Sequence, residues 1–571
     1  MLTPETPAFD PCAARPWLAH YPAAVPARLD EAAIPTVVTL MEEVFAARPD
    51  DPAIESFGVR IRYAELAAAS RAVTVWLQAR GLGKGDRIAL MMPNVMAYLP
   101  ILFGALAAGC TIVSANPLYT PRELGNMLRD SRARVLFALE NFGASVEAAL
   151  KDAPVEAAVI VRPGDMLGLK GLLVNLVSRH VKKAVPAFHL PAAVPFSAVL
   201  AEGRKGRARP VAIAPADIAF LQYTGGTTGI AKGAALSHRN VAANVLQLEA
   251  WLKPYLDPKM KPVTITALPL YHIFALTCSA LVMARIGACQ VLIANPRDIP
   301  GLVRTLKKTR FTAILVINTL ARALLNNPQF RTIDFSALRL SIAGGMAVQS
   351  AVAEEWQAVT GRPMIEGYGL SETSPVVCAN LPDIDRFTGT IGYPVPSTEI
   401  SIRDEAGRPV ALGERGELCV RGPQVMTGYW ERPDETAKVM TADGFFRTGD
   451  VAVMDEGGRV RIVDRLKDMI LVSGFNVYPN EVEDVIAAHP AVAEVAVVGR
   501  RDERSGEAPV AYVVRRAQAE VDAAAIEAHC RANLTPYKIP RAIVFKEALP
   551  KTNVGKILRR ELRAEAEKST G

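Results

Sequence analysis

The chain has 571 residues, half of them apolar and 22% charged, which excludes a disordered polypeptide and allows more than one domain. Lys plus Arg number 65 against 58 for Asp plus Glu, a net charge of +7. That excess suits a polyanionic ligand or an anionic membrane surface, but it is too dilute for nucleic acid.

The first twelve residues are acidic and Pro-rich, without the positive and apolar regions of a secretory signal. Seven scattered cysteines form no CxxC pair and no zinc spacing. They predict reduced, mostly buried thiols and a cytoplasmic location. Further on, short apolar runs at 87–91, 111–114, 135–139, 158–161, 291–293 and 313–317 alternate with helical patterns. Such alternation predicts an α/β fold with parallel sheets. Two stretches, 88–121 and 262–284, contain no Asp, Glu, Lys or Arg. Prolines interrupt both, and each is expected to be a helix followed by a buried parallel strand, not a membrane span. Residues 166–185 form a basic amphipathic helix with Leu169, Leu173, Leu176 and Val177 on one face and Lys170, Arg179, Lys182 and Lys183 elsewhere. Two readings stand: a surface helix packed on its own core, or a contact with an anionic membrane surface at the inner face of the cytoplasmic membrane.

Beyond about residue 390 the pattern becomes antiparallel, with strands expected at 398–403, 416–421 and 459–463 around a Gly-rich turn at 455–458. The charged run 464–468 reads as a joint between a first domain, 1–464, and a second, 465–571. The second has strands at 495–498 and 510–514 and a helix at 523–534, a small α+β unit.

The strongest chemical signal lies at 217–234. An apolar strand ending in Tyr223 enters a turn made of Thr224, Gly225, Gly226, Thr227, Thr228 and Gly229, followed by Lys232, Gly233 and Ala234. Small residues let backbone N–H groups converge on an anion, and Lys232 adds charge. GxxxxGK[ST] cannot be aligned here, which disfavours an ordinary P-loop NTPase. The segment resembles the phosphate-binding loop of the adenylate-forming (AMP-binding) superfamily, which includes acyl-CoA synthetases, luciferases and peptide-synthetase adenylation domains. Many relatives have Pro where this chain has Ala231.

Further motifs follow in the order of that family. By resemblance, Glu372 in the run 368–373 holds Mg²⁺ together with Thr224, Gly367 and Tyr368 flank adenine, and Thr373 completes the nucleotide loop. Gly345, in the Gly pair at 344–345, lies between adenine and the acyl pocket. Asp450 accepts from the ribose hydroxyls, Arg465 contacts ribose or phosphate, and Lys467 is the pivot of a mobile domain. Gly474, within 473–479, lines a thiol tunnel; some relatives carry Lys where this chain has Leu471. Lys556, in 549–560, takes the place of the adenylation lysine. His272, in 268–276, is either a satisfied core histidine or a residue beside the substrate carboxylate. The catalytic set implied is Lys556, Glu372, Lys232 and His272.

The resemblance implies a large N-terminal domain of stacked parallel and mixed sheets with a β-rich subdomain, and a small mobile α+β C-terminal domain. It extends to bacterial long-chain fatty-acid–CoA ligases and implies ATP, Mg²⁺ and CoA. Open alternatives are a fatty-acyl-AMP ligase feeding a carrier protein and a CoA ligase for a medium-chain or aromatic acid. No nucleic-acid partner is expected, and oligomeric state stays open, a homodimer included.

Overall fold

Runs that are apolar at every position become interior strands, because helices cover both faces of a parallel sheet. In the computed structural model, which describes residues 10–224, 231–257, 259–552 and 555–568, two such sheets dominate. The first has eight strands. Arg87–Met91 lies between Thr111–Ser114 and Ala133–Leu139, parallel to both. The second has nine strands, with a parallel run through Cys289–Leu292, Val263–Thr266, Ala313–Val316, Leu340–Ala343 and Met364–Gly369. The α/β expectation holds.

The charge-free stretch 88–121 is strand, buried helix Tyr98–Ala107, then strand Thr111–Ser114. In 262–284 the strand Val263–Thr266 comes first, a helical run at 273–285 follows, and its partner strand begins only at Cys289. Among the described residues no helix is long and apolar enough to cross a membrane. All seven cysteines are buried and unpaired.

The helix at 166–185 departs from the core-packing reading. Leu169–Leu176 is α-helical and runs into a π-helical turn, Val177–Val181. Leu169, Leu172, Leu173 and Leu176 face solvent, while Gly171 is buried and Val174, Asn175 and Ser178 are half-buried. Close approach decides this orientation. A Cβ on Gly171 would stand 2.0 Å from the Gly164 carbonyl oxygen, and Gly164 N donates to Asn175 Oδ1 at 2.7 Å. Small and polar residues therefore face the body of the protein and leave the leucines outside.

Beyond residue 390, Glu399–Arg403, Gly416–Arg421, Phe446–Met454 and Val460–Arg465 form a four-stranded antiparallel sheet. A separate five-stranded sheet follows, built on Val492–Asp502 and Gly506–Arg515. Alternate residues of Val492–Asp502 feed two small cores on its opposite faces. Val495 and Val497 meet Val482, Ile486 and Ile526, whereas Ala496 and Val498 meet Leu549 and Leu562.

Candidate active site

The phosphate-loop segment is a hairpin. Strand Ile218–Thr224 pairs antiparallel with Lys232–Ser237, bringing Tyr223 opposite Gly233 and Thr224 opposite Lys232 at the base of the loop. Gly225, Gly226, Thr227, Thr228 and Gly229 lie outside the described residues. The base is held from behind. Tyr223 donates its hydroxyl to Asp130 at 2.7 Å, and Asp130 also pairs with Arg432 at 2.5 Å. A Cβ on Gly233 would lie 3.2 Å from the Tyr223 ring, a tight contact, and 3.6 Å from Trp430.

The two-residue strand Gly428–Tyr429 adds to the edge of this hairpin, setting Tyr429 beside Ala234. Tyr429 then links two predicted site residues. Its hydroxyl donates to Glu372 Oε1 at 2.9 Å, and its ring lies 5.5 Å from Lys232 Nζ. Lys232 itself is ion-paired with Glu435 from the helix Pro433–Val439.

Glu372 is buried, and desolvation raises its pKa above the usual carboxylate range. It forms no ion pair among the described residues; the Tyr429 hydroxyl and the Arg465 charge offset part of its desolvation. Glu372 and Thr224 are hard oxygen donors. They fit Mg²⁺, which takes one or two protein oxygens and completes its shell with phosphate and water. Thr373, by contrast, is engaged within its own loop, donating to Leu370 O at 3.2 Å and accepting from Leu370 N at 3.0 Å.

Opposite this carboxylate, strand register sets Asp450 against Arg465, with an ion pair at 3.1 Å. Tyr368 donates to Asp450 Oδ2 at 2.6 Å, and desolvation together with that carboxylate pushes the Tyr368 hydroxyl well up. Each carboxylate oxygen of Asp450 keeps a second lone pair.

Gly555 and Lys556 approach the same group of residues. Thr319 Oγ1 donates to Gly555 O at 3.1 Å, and Lys556 N donates to Thr552 Oγ1 at 3.0 Å. Gly345 adopts φ 77°, in the left-handed region that favours glycine. A Cβ on it would lie 3.9 Å from both Lys556 Cε and Phe274. Desolvation, then the Arg465 charge, lowers Lys556 to about 8; Asp450 and Glu372 pull the other way. Desolvation, then Lys556, lowers His272 to about 3. His272 is thus neutral. Its Nδ1 accepts from Phe274 N at 3.3 Å, which leaves the proton on Nε2 as a donor.

Two predicted residues stand apart. Lys467 lies in the turn Leu466–Asp468, where desolvation and Arg465 hold it below the ordinary lysine range. Gly474 is at a hairpin tip, and a Cβ on it would meet nothing within 4 Å.

A family model described as AMP-binding enzyme matches residues 41–430, and one described as AMP-binding enzyme C-terminal domain matches 481–556. The chain belongs to the AMP-binding enzyme family. Within that family it is 51% identical over 553 residues to the long-chain-fatty-acid–CoA ligase of Salmonella typhimurium, covering 96% of this chain and 98% of the relative. The enzyme of that name from Bacillus subtilis is 36% identical, covering 96% and 97%. Among solved structures, the anthranilate CoA ligase AuaEII in complex with anthranoyl-AMP matches with TM-score 0.84 at 25% identity, over 95% of this chain and all of that one. ATP-bound MatB from Rhodopseudomonas palustris gives 0.76 at 29% identity, over 94% and 100%.

In this AMP-binding enzyme the sequence reading missed Tyr429 and Glu435. The aromatic pair Tyr429-Trp430 after Gly428 is the signal that was there to find, but a strand of two residues leaves no periodicity.

Proposed function

We propose that this chain is an AMP-forming long-chain fatty-acid–CoA ligase. One observation carries the mechanism: Lys556, His272, Glu372, Asp450 and Arg465, from separate stretches of sequence, act on one another in a single cleft. The relatives' names support the substrate class.

A carboxylate is a poor acyl donor because its leaving group would be oxide. Its oxygen therefore attacks the α-phosphorus of ATP, the bond to the β-phosphate bridging oxygen breaks, and pyrophosphate leaves. The CoA sulfur then bonds the acyl carbon, the bond to AMP oxygen breaks, and the thiol proton is released. The first step brings an anion to a polyphosphate, so it needs positive charge and aimed donors. Lys232 and Lys556 supply charge, and neutral His272 offers Nε2–H to the incoming carboxylate without titrating near neutral pH. Asp450 and Tyr368 orient the nucleoside. When bound, Mg²⁺ held through Glu372 and Thr224 would neutralise phosphate charge.

The thiol step needs room where Lys556 stands. Residues 465–571 turn about Lys467 against 1–464, withdraw Lys556 and bring the Gly474 hairpin toward the cleft. The open space around Gly474 supports its being unengaged in the present orientation. Every residue used comes from one chain, so the mechanism requires no homodimer. ATP and CoA as substrates favour a cytoplasmic site.

AMP release over a panel of carboxylic acids, with and without CoA, tests this. Release that requires CoA and peaks with long-chain acids is expected. Adenylate accumulation indifferent to CoA would replace the reading by an acyl-AMP ligase.

A further inference from the structure

One short stretch, 426–430, holds Glu372 at two points. Met426 N donates to the Glu372 backbone carbonyl at 2.7 Å, and the Tyr429 hydroxyl donates to carboxylate Oε1 at 2.9 Å. The stretch is itself pinned to the base of the phosphate-loop hairpin. Thr427 N donates to Ala235 O at 3.0 Å, and Trp430 N donates to Gly233 O at 2.7 Å. Tyr429 N donates to Thr436 Oγ1 at 2.9 Å. Tyr429 therefore has little freedom, and neither has the carboxylate that it meets.

That bond makes the two oxygens of Glu372 unequal. Oε1 receives the Tyr429 hydroxyl, and no other side chain among the described residues bonds to either oxygen. An oxygen that already accepts a hydrogen bond is a weaker and more crowded metal donor, so Oε2 is the better one. Binding through one oxygen suits Mg²⁺, which demands near-octahedral geometry at roughly 2.0–2.1 Å. Ca²⁺ takes about six to eight oxygens at roughly 2.3–2.6 Å, and it accepts both oxygens of one carboxylate.

We propose that Tyr429 sets the ion preference of this site: by occupying Oε1 it offers Glu372 to a divalent cation through one oxygen, and so favours Mg²⁺ over Ca²⁺. Tyr429 is a positioning residue that acts through Glu372, as the hydrogen-bonded partners of metal-binding side chains do. The inference rests on the ligase reading, in which Glu372 meets the cation that accompanies ATP, and adds the residue that tunes that carboxylate. Tyr429→Phe isolates the effect. It removes the hydroxyl and keeps the ring that lies 5.5 Å from Lys232 Nζ.

The probe is α,β-methylene-ATP, in which carbon replaces the bridging oxygen whose bond adenylation breaks. Its dissociation constant is measured for the full chain in excess Mg²⁺, in excess Ca²⁺ and in EDTA. The wild type is expected to bind the Mg²⁺ complex most tightly. In Tyr429→Phe the ratio of Mg²⁺ to Ca²⁺ affinities should fall about tenfold, the usual scale for losing such a partner. Affinity in EDTA should stay that of the wild type. In a Glu372→Gln background, Tyr429→Phe should no longer move the ratio, because the two residues act as one unit. A thermal midpoint near that of the wild type shows that Tyr429→Phe folds. Equal loss in all three conditions would overturn the proposal and assign Tyr429 to the shape of the phosphate loop. So would a ratio that Tyr429→Phe still lowers after Glu372→Gln, or a wild type without preference for Mg²⁺. Wild type that binds the analogue under no condition would overturn the ligase reading itself, and this inference with it.

Discussion

Lys556 carries the most demanding residue-level role, because a lysine beside Arg465 in a desolvated cleft holds its proton weakly. The protonated form is the useful one. With its pKa lowered to about 8, the charge is present below that pH and lost above it. In the free enzyme, kcat/KM for adenylation should therefore fall as pH rises through about 8, well before an ordinary lysine would titrate near 10.4. Lys556→Arg should abolish that falling limb; a limb unchanged in this variant would assign it to another group. Lys556→Ala should slow adenylation by about 10²–10³ yet leave thiol attack on preformed acyl-adenylate untouched, measured as separate half-reactions. Glu435 offers a different test. Its pairing with Lys232 competes with incoming phosphate for the same ammonium. Glu435→Gln should lower the KM for ATP about two- to fivefold, whereas a rise would show that the pair positions Lys232 for catalysis. Lys556, Glu372 and Asp450 were singled out because the runs around them resemble motifs of the adenylate-forming superfamily; each alone reads as solvated charge. Tyr429 and Glu435 were not, because strand pairing across nearly two hundred residues brings them there.

At the scale of elements, the phosphate loop hangs from an antiparallel hairpin and not from a strand-to-helix turn. No helix N-terminus immediately follows the loop, and the helix His238–Leu252 begins only after the second strand. At the hairpin base Gly233 lies against Tyr223. Tyr223 cannot easily yield, being tied to Asp130. Gly233→Ala should lower the thermal midpoint by a few degrees, a cost of about 1–3 kcal/mol for overpacking, and should raise the KM for ATP. Combining it with Tyr223→Leu should recover part of the midpoint; strict additivity would place the strain elsewhere. Interior strands were readable from sequence since burial on both faces makes them apolar throughout, as at Arg87–Met91 and Thr111–Ser114. For the helix 166–185 the sequence left two readings open, and its leucines face solvent instead of packing on the core. Periodicity finds an apolar stripe, but backbone approach at Gly171 decides which side meets the protein.

For the molecule as a whole, the present orientation of the last hundred residues is the one that inserts Lys556, and contacts from Asp464 to Asn480 and Arg559 hold it near the joint. Arg415 stacks 4.8 Å from the Tyr478 ring centre, and Thr319 meets Gly555. Another contact is more specific. Helix Ser350–Thr360 begins without a side-chain cap of its own, Gln349 making none. Asp484, from helix Pro479–Ala487 beyond the hinge, supplies one: its Oδ1 accepts from Ser350 N at 3.2 Å and its Oδ2 from Ser350 Oγ at 3.4 Å. A carboxylate at that end also meets the positive pole of the helix. The charged run 464–468 reads in the sequence as a joint, but no local pattern announces a cap donated from more than a hundred residues away. Removing such a cap costs about 1 kcal/mol, or roughly fivefold in the population it favours. The proposed rotation would break this cap as it withdraws Lys556, so Asp484→Ala should slow adenylation about fivefold. Thiol transfer from preformed acyl-adenylate should hold its rate or gain, since the competing orientation is freed. Asp484→Asn, which still accepts from Ser350 N, should recover most of the loss. Equal slowing of both half-reactions would mean that Asp484 supports the fold of its own domain and does not set the balance between the two orientations.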